Sequence, residues 1–364
     1  MSGDGVTTPT LAPFSINGRR IGPGHPVYVI AEISSNHGQR FEAAVELVHG
    51  AHAAGADAVK LQTYTPDTIT IDADSPAFVS GEGSLWEGTS LHALYQTAYM
   101  PWDWQPKLKA IADELGMDLF SAPFDPTAVD FLEAMDVPAF KIASFELVDL
   151  PLIRMVARTG RPMIMSTGMA TDDEIDEAVA AARDGGATDI ALLKCSSAYP
   201  SPPESVNLRA IPTMAERWGV PIGLSDHTTG VAVPAAAVAL GATLVEKHVT
   251  LSHADATPDE QFSLDLTEFA TMVDAIRTVE RAMGSSRIGP TDDEAESRRL
   301  RRSLFVVEDV EAGEPFTARN VRSIRPAVGM HTREYEAVLG RRAAVAISRG
   351  TPLSPELLEP EQAS

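Results

Sequence analysis

The chain has 364 residues, 44% hydrophobic and 22% charged, a composition that predicts a folded protein with a sizeable core rather than a disordered one. Acidic residues outnumber basic ones by 51 to 29, and the formal net charge of −22 argues against nucleic acid or an anionic membrane as a partner. No apolar run reaches the roughly 18 residues of a membrane span, and no secretory signal pattern opens the chain. With a single cysteine as well, we expect a cytoplasmic protein.

In chain order, residues 1–25 form an N-terminal extension with one predicted hairpin, around the segment SINGRRIG. Short apolar runs then alternate with stretches of helical periodicity. The runs, predicted to be strands, are 27–33, 58–64, 118–124, 139–144, 163–167, 190–196, 221–227 and 244–250. Eight such units over residues 26–283 match a closed (β/α)8 barrel of about 250 residues. An open doubly wound sheet is the alternative, but AEISSNHG lacks the glycine-rich fingerprint typical of it.

Two long loops and a second domain complete the organisation. Residues 65–101 follow the second run and the polar residues 251–265 follow the eighth, so both are expected at the C-terminal face of the barrel, where barrel active sites lie. Residues 284–302 are polar and rich in charge, and we predict a linker there. Residues 303–364 are rich in β-type segments and predict a small second domain.

Polar residues lie at the end of every predicted strand. Because the carboxyl ends of parallel strands meet at one mouth, these residues predict a single polar site. They are Glu32, Asn36, His37, Lys60, Gln62, Asp125, Lys141, Ser144, Glu146, Ser166, Thr167, Gly168, Lys194, Ser196, Ser197, Tyr199, Ser225, Asp226, His227, Glu246 and His248.

Two histidines in this set are candidate metal ligands. His227 and His248 end neighbouring strands, so their imidazoles could share a divalent cation in an open site completed by water, a carboxylate or substrate oxygens. The alternative is a pair of hydrogen-bonded core histidines. His37 is a further candidate, either as a third ligand or as a substrate contact.

Only six of the 29 basic residues are lysines, and four of the six lie in or at the end of apolar runs. Lys60 and Lys141 are consistent with a site for a small phosphorylated anion, assisted by the hydroxyls of Ser144, Ser166 and Ser225. The alternative is a lysine of lowered pKa that forms a Schiff base with a carbonyl substrate. The two lysines and several hydroxyls favour the anion site.

Motifs that resemble a known family cover residues 14–360. They are, in order, VIAEISSNHGQ, KLQTYTPDT, FSAPFD, AFKIASFE, STGMAT, LLKCSSAYPSP, GLSDHT, ALGATLVEKHVTL and RRSLFVVEDVEAGE. In this order they resemble the sialic acid (nonulosonic acid) synthase family, which condenses phosphoenolpyruvate with an N-acetylated hexose derivative and releases phosphate. The C-terminal segment resembles the antifreeze-like (SAF) domain of the family. The resemblance implies a (β/α)8 TIM barrel followed by a small β-rich SAF domain.

Three segments are similar to one branch of that family, the pseudaminic acid synthases: GEGSLWEGTSLHALYQTAYMPWDW, KIASFELVDLPLI and VRSIRPAVGMH. This similarity implies 2,4-diacetamido-2,4,6-trideoxy-L-altrose as the acceptor. The alternative is N-acetylneuraminate or legionaminate synthesis from a manno-configured acceptor. Alternatives of another class are a Schiff-base aldolase or lyase and a non-catalytic sugar-binding protein.

The resemblance implies a role for each matching residue. Phosphoenolpyruvate would be held by Lys60, Lys141, Ser144, Ser166, Ser197 and Ser225. The amino sugar would be contacted by Gln62, Glu146, Tyr199 and Asp259. The catalytic groups would be Glu32, as the acid/base carboxylate, and His227 and His248, as ligands of Mn²⁺ or Mg²⁺. Arg325, in the second domain, would reach the active site of the partner subunit in a domain-exchanged homodimer.

Three positions depart from the family pattern. Ala122 stands where relatives place a hydroxyl against the phosphate, and Ser197 replaces the asparagine of the N-acetylneuraminate branch. Thr257 stands where relatives often have glycine, close to Asp259. These departures bear most on which sugar is accepted.

Overall fold

The computed structural model describes residues 11–81 and 86–360. The chain divides into two compact units, Met1–Gly284 and Ser285–Ser364. Each unit has a hydrophobic core of its own among the described residues. None of the described helices is long and apolar enough to cross a membrane.

The first unit opens with a hairpin of β1 (Phe14–Ile16) and β2 (Arg19–Ile21). Asn17 and Gly18 join the two strands with φ angles of 46° and 82°, as a two-residue turn of this kind requires. The amide of Asn17 donates to a carboxylate oxygen of Asp118 at 3.0 Å, and Asp118 is the first residue of the third barrel strand. The predicted hairpin is therefore confirmed, and it packs at the N-terminal end of the barrel.

Eight parallel strands form the barrel. They are β3 (Tyr28–Glu32), β4 (Ala58–Thr63), β5 (Asp118–Pro123), β6 (Phe140–Ile142), β7 (Met163–Ser166), β8 (Ile190–Cys195), β9 (Ile222–Asp226) and β10 (Leu244–Thr250). Each lies within one of the predicted runs. The last strand, β10, pairs with both β9 and β3, so the sheet closes on itself. The predicted barrel is confirmed, and the open sheet is excluded.

Helices cover the outside of the barrel and form part of its long loops. They are α1 (Phe41–Ala53), α2 (Pro66–Ile69), α3 (Leu91–Ala98), α4 (Gln105–Leu115), α5 (Pro126–Ala134), α6 (Leu150–Arg158), α7 (Asp172–Asp184), α8 (Ala210–Trp218), α9 (Ala232–Ala239) and α10 (Leu266–Met283). The helix α7 shows why these segments are helical: its first turn is acidic, and Thr171 and Glu174 form a reciprocal capping box. A short strand, β11 (Leu264–Asp265), precedes α10 and pairs with β10.

All seven residues of β10 are buried, because the strand faces the barrel interior on one side and the helices on the other. Glu246 and His248 point inward, and Lys247, between them, points outward. There the Lys247 Nζ lies 2.7 Å from Oδ2 of Asp226 on β9, and neither side chain is more than 1% exposed. This buried ion pair joins the two strands that carry the predicted metal ligands.

The second unit contains an antiparallel pair, β12 (Ser303–Val306) and β13 (Val321–Ile324), and two short helices, α11 (Ala295–Arg299) and α12 (Tyr335–Val338). Isolated bridges add further β-type pairing. Its core includes Leu304, Val306, Phe316, Val321 and Leu353. The segment predicted as a linker, 284–302, contains α11.

Candidate active site

A cavity of about 450 Å³ lies at the C-terminal ends of the barrel strands. It is the place where the predicted site residues of the first unit meet. Those that line it are Lys60, Gln62, Lys141, Ser144, Glu146, Ser166, Tyr199, Ser225, His227, His248 and Asp259. The parallel barrel brings these residues together from six different strands or the loops that follow them.

Two lysines lie deep in the cavity within a network of buried ion pairs. Lys60 Nζ lies 2.6 Å from Oε2 of Glu32 and 3.6 Å from Oε1 of Glu246. Lys141 Nζ lies 3.7 Å from Oε2 of Glu246 and donates to Oγ of Ser166 at 2.7 Å. Because two ammonium groups are gathered with hydroxyls at one end of the cavity, this end can bind a small anion with several oxygens.

The four charged groups of this network differ in how readily they ionise. Burial raises the pKa of Glu32 to about 7, against the opposing charge of Lys60. Burial also disfavours the charge on Glu246, but Lys141 and Lys60 outweigh it and lower the pKa of Glu246. Burial lowers the pKa of Lys141; at Lys60 the two carboxylates outweigh burial and raise the pKa. Glu246 is thus the counter-ion of both lysines, and Glu32 can exchange a proton near neutral pH.

The two predicted metal ligands face each other, with ring centroids 5.3 Å apart. His227 Nδ1 lies 2.9 Å from the carbonyl oxygen of Ser196, which as acceptor holds a proton on Nδ1, so Nε2 is the nitrogen that would bind a metal. His248 is buried, and its Nδ1 has no hydrogen-bond partner among the described residues. Burial holds the pKa of His248 well below its usual range, so this imidazole is neutral and able to bind a metal.

The donor set therefore fits a divalent cation. His227 and His248 would supply two nitrogen ligands, Asp259 lies 3.9 Å from His248 Nδ1, and water or substrate oxygens would complete an open coordination shell. The alternative of two hydrogen-bonded core histidines does not describe His248, whose Nδ1 lacks such a bond among the described residues.

Another group of metal-type side chains lies outside the cavity. Among the described residues, one group of three His, Cys, Asp or Glu side chains has its potential ligand atoms within 4.8 Å of one another: His253, Asp265 and Glu268. Asp265 and Glu268 form the capping box of α10, and both nitrogens of His253 contact glutamates, Glu260 and Glu268, at 2.8 Å. These contacts give each side chain a structural role, as expected for a surface histidine.

The residues predicted to contact the amino sugar all line the cavity, and Tyr199 and Asp259 lie beside the two imidazoles. The ring of Tyr199 lies 4.6 Å from that of His227, and Gln62 donates to the hydroxyl of Ser34 at 2.9 Å. Burial raises the pKa of Glu146 to about 7, and its Oε2 has no hydrogen-bond partner among the described residues. A buried carboxyl without a partner is available to a polar ligand in the cavity.

Of the residues to which the resemblance gives a role, Glu32, Ser197 and Arg325 do not line the cavity, nor do Asn36, His37, Asp125, Thr167, Gly168, Lys194, Ser196 and Asp226 of the predicted polar set. Glu32 is fully buried and reaches it through Lys60 and through Gln62, whose Nε2 donates to Oε1 of Glu32 at 3.2 Å. Ser197 lies beside Gly168, where an added Cβ would be 2.1 Å from its hydroxyl. Arg325 is exposed and belongs to the second unit.

His37, the candidate for a third ligand or a substrate contact, lies apart from the two other histidines, and its Nε2 is buried without a hydrogen-bond partner among the described residues. It is absent from the described cavity lining, and its ring packs edge-on against Trp104 with centroids 5.7 Å apart. Its Nδ1 accepts a hydrogen bond from the backbone of Gln39 at 3.0 Å. Burial lowers the pKa of His37 to about 4, so its imidazole is neutral, and its role as a ligand or substrate contact stays a prediction.

Sequence analysis placed Glu246 at the polar mouth without a specific role, and it missed the apolar side of the cavity. Its role as the counter-ion of Lys60 and Lys141 depends on contacts between distant strands, for which the local sequence carries no signal. The apolar side is formed by Tyr64, Phe124, Phe145 and the helix α3. The signal that could have predicted α3 is the helical spacing of Leu91 and Leu94 within the long loop after the second strand.

Comparison with known proteins agrees with this geometry. The NeuB family model matches residues 47–287, and the SAF domain model matches residues 301–359. The chain is 42% identical to the pseudaminic acid synthase of Helicobacter pylori, over 92% of this chain and 98% of the relative. It is 32% identical to the N,N'-diacetyllegionaminic acid synthase of Legionella pneumophila, over 91% of this chain and 94% of the relative.

Solved structures share the fold along nearly the whole chain. The crystal structure of the spore coat polysaccharide biosynthesis protein SpsE from Bacillus subtilis superposes with a TM-score of 0.65 at 33% identity. The match covers 96% of this chain and all of that one.

Proposed function

The chain belongs to the NeuB family, and we propose that it is a pseudaminic acid synthase. In this proposal it condenses phosphoenolpyruvate with 2,4-diacetamido-2,4,6-trideoxy-L-altrose, by cleavage of the C–O bond, to give pseudaminic acid and phosphate. The similarity to pseudaminic acid synthases over most of the chain supports this reaction. The observation that carries it is the single cavity in which two buried lysines lie beside two facing imidazoles.

The lysine end of the cavity is the proposed site of phosphoenolpyruvate. Lys60 and Lys141 neutralise its phosphate and carboxylate, and the hydroxyls of Ser144, Ser166 and Ser225 donate to the remaining oxygens. Ser197 lies next to this group through Gly168. These residues would accelerate the reaction mainly by holding the enol in one orientation and by electrostatic stabilisation of its charge.

The reaction joins C3 of phosphoenolpyruvate to the aldehyde carbon of the open-chain sugar. Water adds at C2, and the resulting tetrahedral centre expels phosphate. Glu32 is the proposed acid/base group, because its pKa of about 7 lets it hold or release a proton at working pH. A bound anion beside Lys60 raises this pKa further and favours the protonated form. Gln62 orients the carboxyl through its hydrogen bond.

The imidazole end is the proposed site of the acceptor aldehyde and of a divalent cation, Mn²⁺ or Mg²⁺. His227 and His248 would hold this cation, which when bound supplies Lewis-acid polarisation of the aldehyde oxygen. Gln62, Glu146, Tyr199 and Asp259 then contact the amino sugar.

We also propose a domain-exchanged homodimer in which Arg325 of one protomer completes the cavity of its partner. The match of residues 301–359 to the SAF domain and the exposure of Arg325 support this proposal. A mixture of two variants, Lys60→Met and Arg325→Ala, would test this, because each variant should be impaired when assayed alone. On mixing, a domain-exchanged dimer regains one intact site per heterodimer, about a quarter of wild-type activity in a random mixture. A dimer without exchange regains none.

The decisive experiment is a phosphate-release assay with phosphoenolpyruvate and a panel of acceptors. We expect turnover with the altro-configured diacetamido sugar and little with N-acetylmannosamine or the manno-configured diacetamido sugar. Preference for a manno-configured acceptor would contradict the sugar assignment, and no release with any acceptor would contradict the reaction. Borohydride trapping of substrate on Lys60 or Lys141 would instead support a Schiff-base enzyme.

The single cysteine supports a reducing, cytoplasmic location. Cys195 is buried and unpaired at the end of β8, beside the cavity. Cell fractionation would test this location directly.

A further inference from the structure

The helix α3 lines the cavity with a continuous apolar stripe. Leu91, Leu94, Tyr95 and Ala98 all face the cavity, with the i, i+3, i+4, i+7 spacing of one helical face. No residue of α3 is fully buried, and none of the four belongs to the core clusters of the described chain. This apolar face is therefore turned toward the space that a ligand occupies instead of toward the protein interior.

The stripe lies at the outer end of the cavity. Lys60, Gln62 and Tyr64 line the cavity in that order along β4 and the residue after it. Each step of two residues advances about 7 Å along a strand, so Tyr64 stands about 13 Å beyond Lys60. The ring of Tyr64 packs edge-on against Tyr95, with centroids 5.6 Å apart, which joins the stripe to this outer position.

The reaction fixes which end of the acceptor meets the stripe. The aldehyde carbon must lie beside phosphoenolpyruvate and the imidazoles, at the inner, polar end of the cavity. An open-chain hexose then extends outward, and its C6 end is the part farthest from the reacting carbon. Leu91, Leu94 and Ala98 present only carbon atoms to that end, so a methyl group finds apolar contacts and a hydroxyl finds no partner on these side chains.

We propose that the α3 stripe is the specificity element that selects an acceptor with a deoxygenated, methyl-bearing C6 terminus. This inference rests on the proposed condensation, because that reaction sets the orientation of the acceptor. An apolar wall rejects a ligand that adds one hydroxyl by up to about 10²-fold, which is the preference expected here. Since the contact lies far from the reacting carbon, it acts equally on bound substrate and transition state and changes KM rather than kcat.

The test compares two acceptors that differ only at C6: 2,4-diacetamido-2,4,6-trideoxy-L-altrose and its 6-hydroxy counterpart. In phosphate-release assays, kcat/KM of the purified wild-type enzyme should be 10- to 100-fold higher for the 6-deoxy sugar than for its 6-hydroxy counterpart. Most of this difference should lie in KM. Turnover of both sugars with equal kcat/KM would overturn the stripe assignment and leave the condensation intact. No turnover of either sugar would overturn the condensation itself.

Variants of the stripe localise the effect. Leu94→Asn adds a polar group at nearly constant size and should reduce the C6 preference at least tenfold by weakening the 6-deoxy acceptor and accepting the hydroxyl. Leu94→Met stays apolar and should keep the preference. Ala93→Asn, on the exposed face of the same helix, is the matched control and should change neither KM. An unchanged preference in Leu94→Asn, or an equal loss in Ala93→Asn, would refute the role of the stripe. If Leu94→Asn fails to fold, the wild-type acceptor ratio together with Leu94→Met still decides the case.

Discussion

The buried ion pair between Lys247 and Asp226 predicts a large and specific loss of stability on Lys247→Met. The substitution leaves the Asp226 carboxylate buried without its counter-ion, and breaking such a pair costs about 3–5 kcal/mol. Asp226 keeps two contacts with Thr228, from the backbone N–H at 3.2 Å and the hydroxyl at 3.1 Å, so we expect the lower end, about 3 kcal/mol. For a unit of this size, that corresponds to a fall in Tm of roughly 6–12 °C.

Urea unfolding followed by tryptophan fluorescence measures this loss in the right unit, because all four tryptophans lie within Met1–Gly284. Lys107→Met is the matched control: Lys107 pairs with Asp103 at 3.4 Å, and both side chains are more than half exposed. Its expected cost is below about 1 kcal/mol. The double variant Lys247→Met/Asp226→Leu should recover most of the stability, since an apolar pair of similar size carries no stranded charge. A Lys247→Met enzyme no less stable than Lys107→Met would refute this reasoning.

Three further predictions concern the cavity. Glu32→Gln should lower kcat by about 10²-fold or more with an unchanged circular dichroism spectrum, and the ionisation near pH 7 should vanish from the rate profile; near-normal turnover would contradict the acid/base role. Removal of divalent cations should abolish turnover, and full activity after exhaustive chelation would count against the metal. The His248→Ala variant should no longer bind Mn²⁺, as measured by electron paramagnetic resonance. Gly168→Ala places a Cβ 2.1 Å from Ser197 Oγ and 2.8 Å from Ser144 Oγ, so KM for phosphoenolpyruvate should rise roughly tenfold, and an unchanged KM would dissociate these hydroxyls from the anion site.

The barrel was predictable because its signals are local. Strands buried on both faces read as short apolar runs, and capping signals such as Thr171 and Glu174 mark where helices begin. Parallel topology alone then brings the strand ends together, and so the lysines and the two histidines could be assigned to one mouth before any coordinates were known. The same signals located the hairpin through its Asn-Gly turn.

The rest depended on distances that no local pattern encodes. The position of Glu246 between two lysines arises from the pairing of β10 with β3 and β9, which joins residues more than 20 positions apart. His37 follows the first strand as a ligand would, and the packing of Trp104 against its ring could not be read from the local sequence. Strand alternation predicts that Lys247 points away from the barrel interior. Its ion pair with Asp226 could not be predicted in the same way, because it depends on the pairing of β9 with β10.

The helix α3 has a consequence for how new activities arise on this scaffold. The reacting groups lie on strands of the barrel wall, and both faces of β10 are buried. A shift of one residue in the register of β10 would replace the imidazole of His248 in the cavity by the ammonium of Lys247. The helix, in contrast, is an insertion that contributes nothing to the core clusters. Exchanging residues 86–99 between relatives should therefore alter which acceptor is chosen while the bond-forming apparatus stays in place, so that substrate choice can diverge faster than chemistry.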